Sequence, residues 1–218
     1  MSDLSIGLES LERSQSQLSV STYFDAALYR REMELIFDGG PRYVGHSLAV
    51  PEIGDYHALA HESEGRALVR TPSGVELISN VSRHRQAVML QGRGNTRGNI
   101  VCPLHRWTYD LKGELLGAPH FAEDPCLNLR NYPTREWNGL VFEDNGRDIA
   151  TDLATLGAKT DLDFSGYVLD RVQMHECDYN WKTFIEVYLE DYHVGPFHPG
   201  LGQFVTCDDL SWEFGAHH

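Results

Sequence analysis

Two short clusters of metal-ligating residue types constrain this chain more than anything else in it. They are Ser82-Arg83-His84 and Cys102-Pro103-Leu104-His105, held apart by residues 85–101. That spacer contains Gly92, Gly94 and Gly98, so it reads as a strand, a turn and a returning strand that bring both clusters to one end of a hairpin. Thiolate and imidazole at such spacing suit tetrahedral zinc. They equally suit a [2Fe–2S] centre with two thiolates on one iron and two imidazoles on the other, whose pattern is Cys-x-His followed by Cys-x-x-His. His84, Cys102 and His105 supply three of those four donors, and position 82 is serine. A hydroxyl is a hard ligand with a far less acidic proton than a thiol, so the donor set is weakened at that point. Cys126 lies outside both tips and does not replace it.

A second signal lies downstream, in Glu186-x-x-x-Glu190-x-x-His193-x-x-x-x-His198. Phe184, Val187, Tyr188 and Tyr192 follow helical spacing, which predicts a helix over 184–193 lying against a core. On it, Glu186, Glu190 and His193 would share one face. His198 follows a break at Gly195-Pro196. Two histidines with one carboxylate and open positions describe non-haem Fe(II) sites, although the pair alone is also what packing or capping histidines look like.

The rest of the chain sets limits. With 18 basic and 32 acidic residues the net charge is −14, which argues against nucleic acid or an anionic membrane as a partner. No apolar run approaches the ~20 residues of a membrane span. Four widely spaced cysteines without a secretory signal argue against a disulfide framework and point to a reducing, cytoplasmic setting. Residues 1–20 read as a Ser-rich, flexible lead-in, and 22–37 as a short amphipathic packing helix stopped by Asp38-Gly39-Gly40-Pro41. From 42 to 148 the texture is short β runs, including 43–44, 56–59, 67–70, 75–78, 100–101 and 140–142. Turns are expected at Pro72-Ser73-Gly74, Lys112-Gly113 and Asn138-Gly139. A polar link follows over 149–164.

The segments Asn80-Val81-Ser82-Arg83-His84-Arg85, Gly92-Arg93-Gly94-Asn95 and Cys102-Pro103-Leu104-His105-Arg106-Trp107-Thr108-Tyr109-Asp110 closely resemble the Rieske portion of the α subunit of Rieske non-haem iron (ring-hydroxylating) oxygenases. The resemblance covers roughly residues 21–205. It implies an α+β chain, with an antiparallel β Rieske [2Fe–2S] domain followed by the start of a helix-grip-like catalytic domain. The expected divisions are 1–20, the N-terminal helix of the catalytic part at 21–41, the Rieske-type domain at 42–160 and an incomplete iron domain at 161–218. The resemblance makes His84, Cys102 and His105 cluster ligands, with Ser82 in place of the first cysteine. His193 and His198 become ligands of a mononuclear Fe(II), and Glu190 the catalytic carboxylate bridging the two centres, where the family more often has Asp. The family's third iron ligand is a distant aspartate that Asp208 and Asp209 do not match. Implied partners are a reductase or ferredoxin, O2 and a small organic substrate, in a head-to-tail homotrimer. The chain stops where the family is only starting its catalytic sheet, which suggests a fragment. The alternatives are a Rieske-like electron-transfer or binding module, and a degenerate fragment without activity.

Overall fold

The computed structural model describes residues 18–205 and 212–216, so Asp208, Asp209 and most of the N-terminal lead-in lie outside the described residues. The chain divides into two compact units, one of residues 38–175 with 213–218, the other of residues 1–37 with 176–212.

The first unit is built from β1 (Tyr43–His46), β2 (Asp55–Ala58), β3 (Arg66–Thr71), β4 (Gly74–Ser79), β5 (Arg93–Asn95), β6 (Ile100–Val101), β7 (Thr108–Tyr109), β8 (Leu115–Gly117), β9 (Asn131–Tyr132), β10 (Thr134–Trp137) and β11 (Leu140–Glu143). They form three antiparallel sheets, in the orders β1-β11-β10, β5-β2-β3-β4-β9 and β6-β7-β8. The five-stranded sheet is the middle layer, because its central strand is apolar on both faces. Ala67 and Val69 of β3 pack with Ile78, Ile100, Cys102, Trp107 and Tyr109, while Leu68 and Leu77 pack on the other side with Val44, Val50, Leu59 and Val141. Period-two alternation thus sends successive residues of one strand into two cores. The core that holds Cys102 is the one beneath the ligand clusters.

One charge is buried between these strands. Arg66 at the head of β3 is 1% exposed and is gripped in bidentate fashion by Glu62 at 2.7 Å, with Glu143 of β11 also at 2.7 Å. Both carboxylates hold its guanidinium in the charged form against the desolvation that opposes it. The Asn138-Gly139 turn joins β10 to β11 with both residues at positive φ, 49° and 84°, the two-residue hairpin turn that asparagine and glycine favour.

Two expectations for this unit need correction. The spacer between the ligand clusters is not a self-paired hairpin: β5 pairs with β2 in the middle sheet, whereas β6 pairs with β7. Gly94 belongs to strand β5 rather than to the turn, and a Cβ there would meet the Tyr56 hydroxyl at 2.8 Å. The link at 149–164 also contains a short helix, α1 (Ile149–Asp152), capped by Asp148, and a 3-10 turn at Gly157–Thr160.

The second unit draws on both ends of the chain. Its N-terminal part is a 3-10 turn, then α2 (Ala26–Glu32), capped by the Asp25 carboxylate on the N–H groups of Ala27 and Leu28, then a wider π-type turn at Met33–Asp38. Its C-terminal part holds α3 (Trp181–Tyr188), capped by Asn180, and the single turn α4 (Val194–Phe197). Glu32 joins the two ends, accepting from Lys182 Nζ at 2.6 Å and from the Trp181 indole at 3.0 Å. The apolar stripes read as packing faces are not buried here. Phe24 is 82% exposed, and Phe184, Val187, Tyr188 and Tyr192 are exposed too.

Candidate metal centres

The structure brings Ser82, His84, Cys102 and His105 together, and it does so with the same loop used twice. The Ser82 N–H donates to the Ala87 carbonyl (2.9 Å) and the Gln86 N–H to the Ser82 carbonyl (3.1 Å). In the other loop the Cys102 N–H donates to the Trp107 carbonyl (2.8 Å) and the Arg106 N–H to the Cys102 carbonyl (3.0 Å). Gln86 and Arg106 hold the matching left-handed position, at φ 55° and 64°. Ser82 therefore occupies in the first loop the place that Cys102 occupies in the second. Both side chains are buried, each at 1% exposure.

The donors pair off rather than converge on one point. The rings of His84 and His105 lie 4.7 Å apart, and the Ser82 hydroxyl is hydrogen-bonded to the Cys102 thiol. Among the described residues no group of three or more His, Cys, Asp or Glu is placed to hold a single ion, so a tetrahedral zinc site is not preformed. A [2Fe–2S] group, with imidazoles on one iron and thiolates on the other, matches the observed pairing. His84 Nδ1 is buried and has no hydrogen-bond partner among the described residues, as a nitrogen reserved for a ligand would be. Desolvation, with His105 and Arg85 adding to it, pushes His84 below the ordinary imidazole range, which keeps that lone pair available. Burial pushes the Cys102 thiol up, but the Ser82 hydroxyl and the N–H groups of Leu104 and His105 outweigh it and hold the thiol below its usual range. The residues fit the group at three positions of four, and at Ser82 they do not.

The second constellation is assembled differently from its sequence pattern. Helix α3 ends at Tyr188, so Glu190 and His193 lie beyond it, and Glu186, Glu190 and His193 do not share a helical face. Glu186 instead accepts a short hydrogen bond from the Tyr23 hydroxyl. Glu190 reaches over its own turn: its Oε2 accepts the His193 N–H (3.2 Å), and its Oε1 lies 2.6 Å from His193 Nδ1. Those bonds, led by the one to the His193 ring, hold the Glu190 carboxyl below its usual range. Glu190 thus fixes the ring from behind and leaves Nε2 for a metal, the arrangement of a ligating histidine steadied by a carboxylate. His198 lies across α4 with its ring centroid 5.5 Å from that of His193. An iron at this place would be held by His193 and His198, and among the described residues no group of three or more His, Cys, Asp or Glu is placed to hold a metal ion.

Several residues outside the ligand set support the first site: Asn80, Trp107 and Tyr109 belong to the segments that carry the family resemblance, and Phe121 lies outside them. Asn80 is 2% exposed, and its amide exchanges two hydrogen bonds with the backbone of Leu90, which ties down the chain entering the first loop. The Tyr109 hydroxyl accepts from the Arg83 N–H (3.2 Å), the Trp107 ring stacks on His84 at 5.0 Å, and Phe121 covers both rings edge-on. A charge pattern was readable as well: residues 81–109 contain Arg83, Arg85, Arg93, Arg97 and Arg106 and no acidic residue, in a chain of net charge −14. All five arginines are exposed, and none forms an ion pair among the described residues.

Comparison with known proteins gives a consistent result. A family model described as the Rieske [2Fe-2S] domain matches residues 41–133, and one described as the ring hydroxylating alpha subunit catalytic domain matches residues 159–218. A putrescine 2-hydroxylase of Ralstonia nicotianae is 69% identical over 215 residues, covering 99% of this chain and 58% of the relative. A putrescine 2-hydroxylase of Bordetella bronchiseptica is 60% identical over 214 residues, covering 92% of this chain and 50% of the relative. The quaternary ammonium Rieske monooxygenase CntA, solved with an inhibitor, superposes with a TM-score of 0.69 at 25% identity, over 85% of this chain and 55% of that one. The chain spans about half the length of the curated relatives it matches. The two matched domains imply a Rieske cluster and a mononuclear iron. Domain for domain and in the same order, this chain belongs to the Rieske non-haem iron oxygenases of the ring-hydroxylating α-subunit type.

Proposed function

We propose that the polypeptide represented by this chain is an oxygenase large subunit that hydroxylates a short aliphatic diamine such as putrescine, using O2 and electrons from a reductase or ferredoxin. The observation that carries this reading is the 69% identity to a putrescine 2-hydroxylase over 215 residues, a stretch that includes both donor constellations. When bound, the cluster supplies single electrons and the mononuclear iron supplies an oxygen-activating centre.

In this reading His84 and His105 hold one iron of the cluster and Cys102 the other. His193 and His198 hold the mononuclear iron, with the third ligand supplied from beyond the described residues. Glu190 acts as a positioning carboxylate: it accepts a hydrogen bond from His193 Nδ1, so the Nε2 lone pair keeps its orientation. It is also the group we assign to bridge the two centres between neighbouring copies in a homotrimer, a heterologous ring closed by rotation. The exposed arginines Arg83, Arg85 and Arg106 of the cluster loops, which form no ion pair among the described residues, add positive charge that suits an acidic electron donor. The reading places the cluster domain at 42–160 and the iron domain at 161–218 together with the helix at 21–41.

The test is a chimera in which this chain replaces the corresponding residues of the Ralstonia relative, in Ser82 and Ser82→Cys forms. Putrescine-dependent oxygen consumption with formation of the hydroxylated diamine is expected from the Ser82→Cys form. A folded, iron-loaded chimera that consumes no oxygen with putrescine, or consumes it without product, defeats the substrate proposal. A second reading is favoured by one observation, the serine at position 82. In it the chain is a Rieske-like module without turnover, and the chimera is active only after the serine is replaced.

A further inference from the structure

We infer that Ser82 is a non-ligand in a ligand position, so that this chain keeps the fold of the cluster domain but retains the [2Fe–2S] centre poorly, and that the single change Ser82→Cys restores it. The inference rests on the Rieske reading of this site and goes beyond it to the behaviour of these particular residues.

The two loops make the case. Residues 82–87 and 102–107 repeat the same pair of backbone hydrogen bonds and the same left-handed fifth residue, so positions 82 and 102 are equivalent in three dimensions. The surroundings of each side chain are equivalent as well. The N–H two residues on points at the side-chain atom in both, from His84 to Ser82 Oγ at 3.4 Å and from Leu104 to Cys102 Sγ. A sulfur at 82 would enter a buried, amide-lined place beside the Cys102 sulfur, as two thiolates on one iron require. The rest of the site is prepared, with two imidazoles face to edge and a His84 Nδ1 that has no partner among the described residues. The loop fold does not depend on the metal ligand at 82, since it is held by Asn80, Tyr109 and the backbone pairs.

Oxygen in place of sulfur removes one of the two thiolates from one iron and leaves the other iron's imidazoles intact. A serine hydroxyl is a hard donor with a far less acidic proton than a thiol, so it meets an incoming iron as a poor ligand. Among the described residues the other cysteines, Cys126 and Cys177, are both exposed rather than buried beside Cys102. The Cys126 sulfur is engaged with the Asp124 carbonyl at 3.7 Å.

The experiment compares the unmodified chain, Ser82→Cys and Ser82→Ala, purified in parallel. Iron and acid-labile sulfide are quantified, zinc is measured as a control, far-UV circular dichroism reports the fold, and absorbance and low-temperature EPR are recorded after dithionite reduction. The expected result is about two irons and two sulfides with a Rieske spectrum in Ser82→Cys. The serine form should hold at least about 10-fold less under the same conditions, in line with the loss of a metal-site group. Ser82→Ala should match the serine form. Full occupancy with a Rieske spectrum in the unmodified chain overturns the inference and leaves the oxygenase reading standing. Iron lost on going from serine to alanine shows that the hydroxyl ligates, and overturns it equally. Failure of a folded Ser82→Cys chain to take up iron and sulfide defeats the inference and the cluster reading together.

Discussion

Asn80 shows what a single residue contributes here that spacing alone does not reveal. Its carboxamide accepts the Leu90 N–H at 2.7 Å and donates to the Leu90 carbonyl at 2.8 Å, while its own carbonyl accepts the Met89 N–H at 3.0 Å. The side chain thereby copies one rung of a β ladder just before the first ligand loop. Replacement by alanine leaves a buried donor and a buried acceptor on Leu90 unpaired, at about 1–3 kcal/mol each. We expect Asn80→Ala to lower the urea midpoint of the β unit and, in a Ser82→Cys background, to reduce retained iron. Asn80→Asp keeps an acceptor for the Leu90 N–H but cannot donate to its carbonyl, and should fall between. An alanine variant with unchanged midpoint and unchanged iron would show that the loop is held by its neighbours alone. His84, Cys102, His105, His193 and His198 were legible in the sequence because each donor pair sits within a few residues of a turn. Asn80, Trp107 and Tyr109 were legible as parts of the resembling segments, but their contacts, and Phe121 altogether, were not, because the partners lie on separate loops that only the folded sheet layers bring together.

At the scale of elements, the longer apolar strands and the two-residue β6 were legible, and the other short strands of the site were not. β3 and β4 run over six residues each, but β5, β7 and β8 are two or three residues long, and β5 is entirely exposed. Their pairing follows from the layer that β3 nucleates, so the spacer looked like a hairpin when its halves belong to two sheets. The second helix was misjudged for a local reason. The apolar spacing runs on to Tyr192, but Glu190 bonds the backbone and ring of His193, and such a side-chain bond competes with helix continuation. What α3 does achieve is a junction with α2 through Glu32, Lys182 and Trp181. The Lys182 hydrogen bond is the main cause holding the Glu32 carboxyl below its ordinary range, against the burial that would raise it. A depressed folded value means that the carboxylate stabilises the fold fully above the unfolded glutamate pKa of about 4.3 and loses that contribution as pH falls through the folded value. Glu32→Gln should therefore destabilise the unit at pH 7. The difference from the unmodified chain should shrink as pH falls below about 4. Denaturant titrations followed by Trp181 emission at both pH values check this, and a difference that persists undiminished in acid would rule out the ion pair as its source.

The molecule as a whole divides its buried apolar surface very unevenly. The β unit closes two cores around β3, with Leu68, Val69, Leu77, Ile78, Ile100 and Tyr109 all at 0% exposure. In the helical unit the buried residues among those described are Lys182 and Val194, while Phe184, Ile185, Tyr188, Phe197 and Phe204 remain exposed. Full burial of one large aliphatic or aromatic side chain contributes about 1.5–3 kcal/mol, so cores of such different size cannot give the two units equal stability. None of α2, α3 and α4 of the second unit is long enough to persist by itself, because isolated helices under ~12–15 residues are marginal in water. Its order rests on the Asp25 and Asn180 caps, the Glu32 junction and the hydrogen bond from Tyr23 to Glu186. We therefore expect the 218-residue chain to open in two steps, the helical unit first. Native-state hydrogen exchange resolves this directly: amides of Trp181–Tyr188 should exchange through an opening of low free energy and weak denaturant dependence, and those of Arg66–Thr71 and Gly74–Ser79 through the global transition. A double Trp181→Phe/Trp212→Phe variant supplies an independent check, since its remaining tryptophans, Trp107 and Trp137, belong to the β unit and should report only the later step. Merging of both sets of amides into one isotherm at low denaturant would show that the two units unfold as a single cooperative body, and the uneven distribution of buried side chains would then not govern how this chain opens.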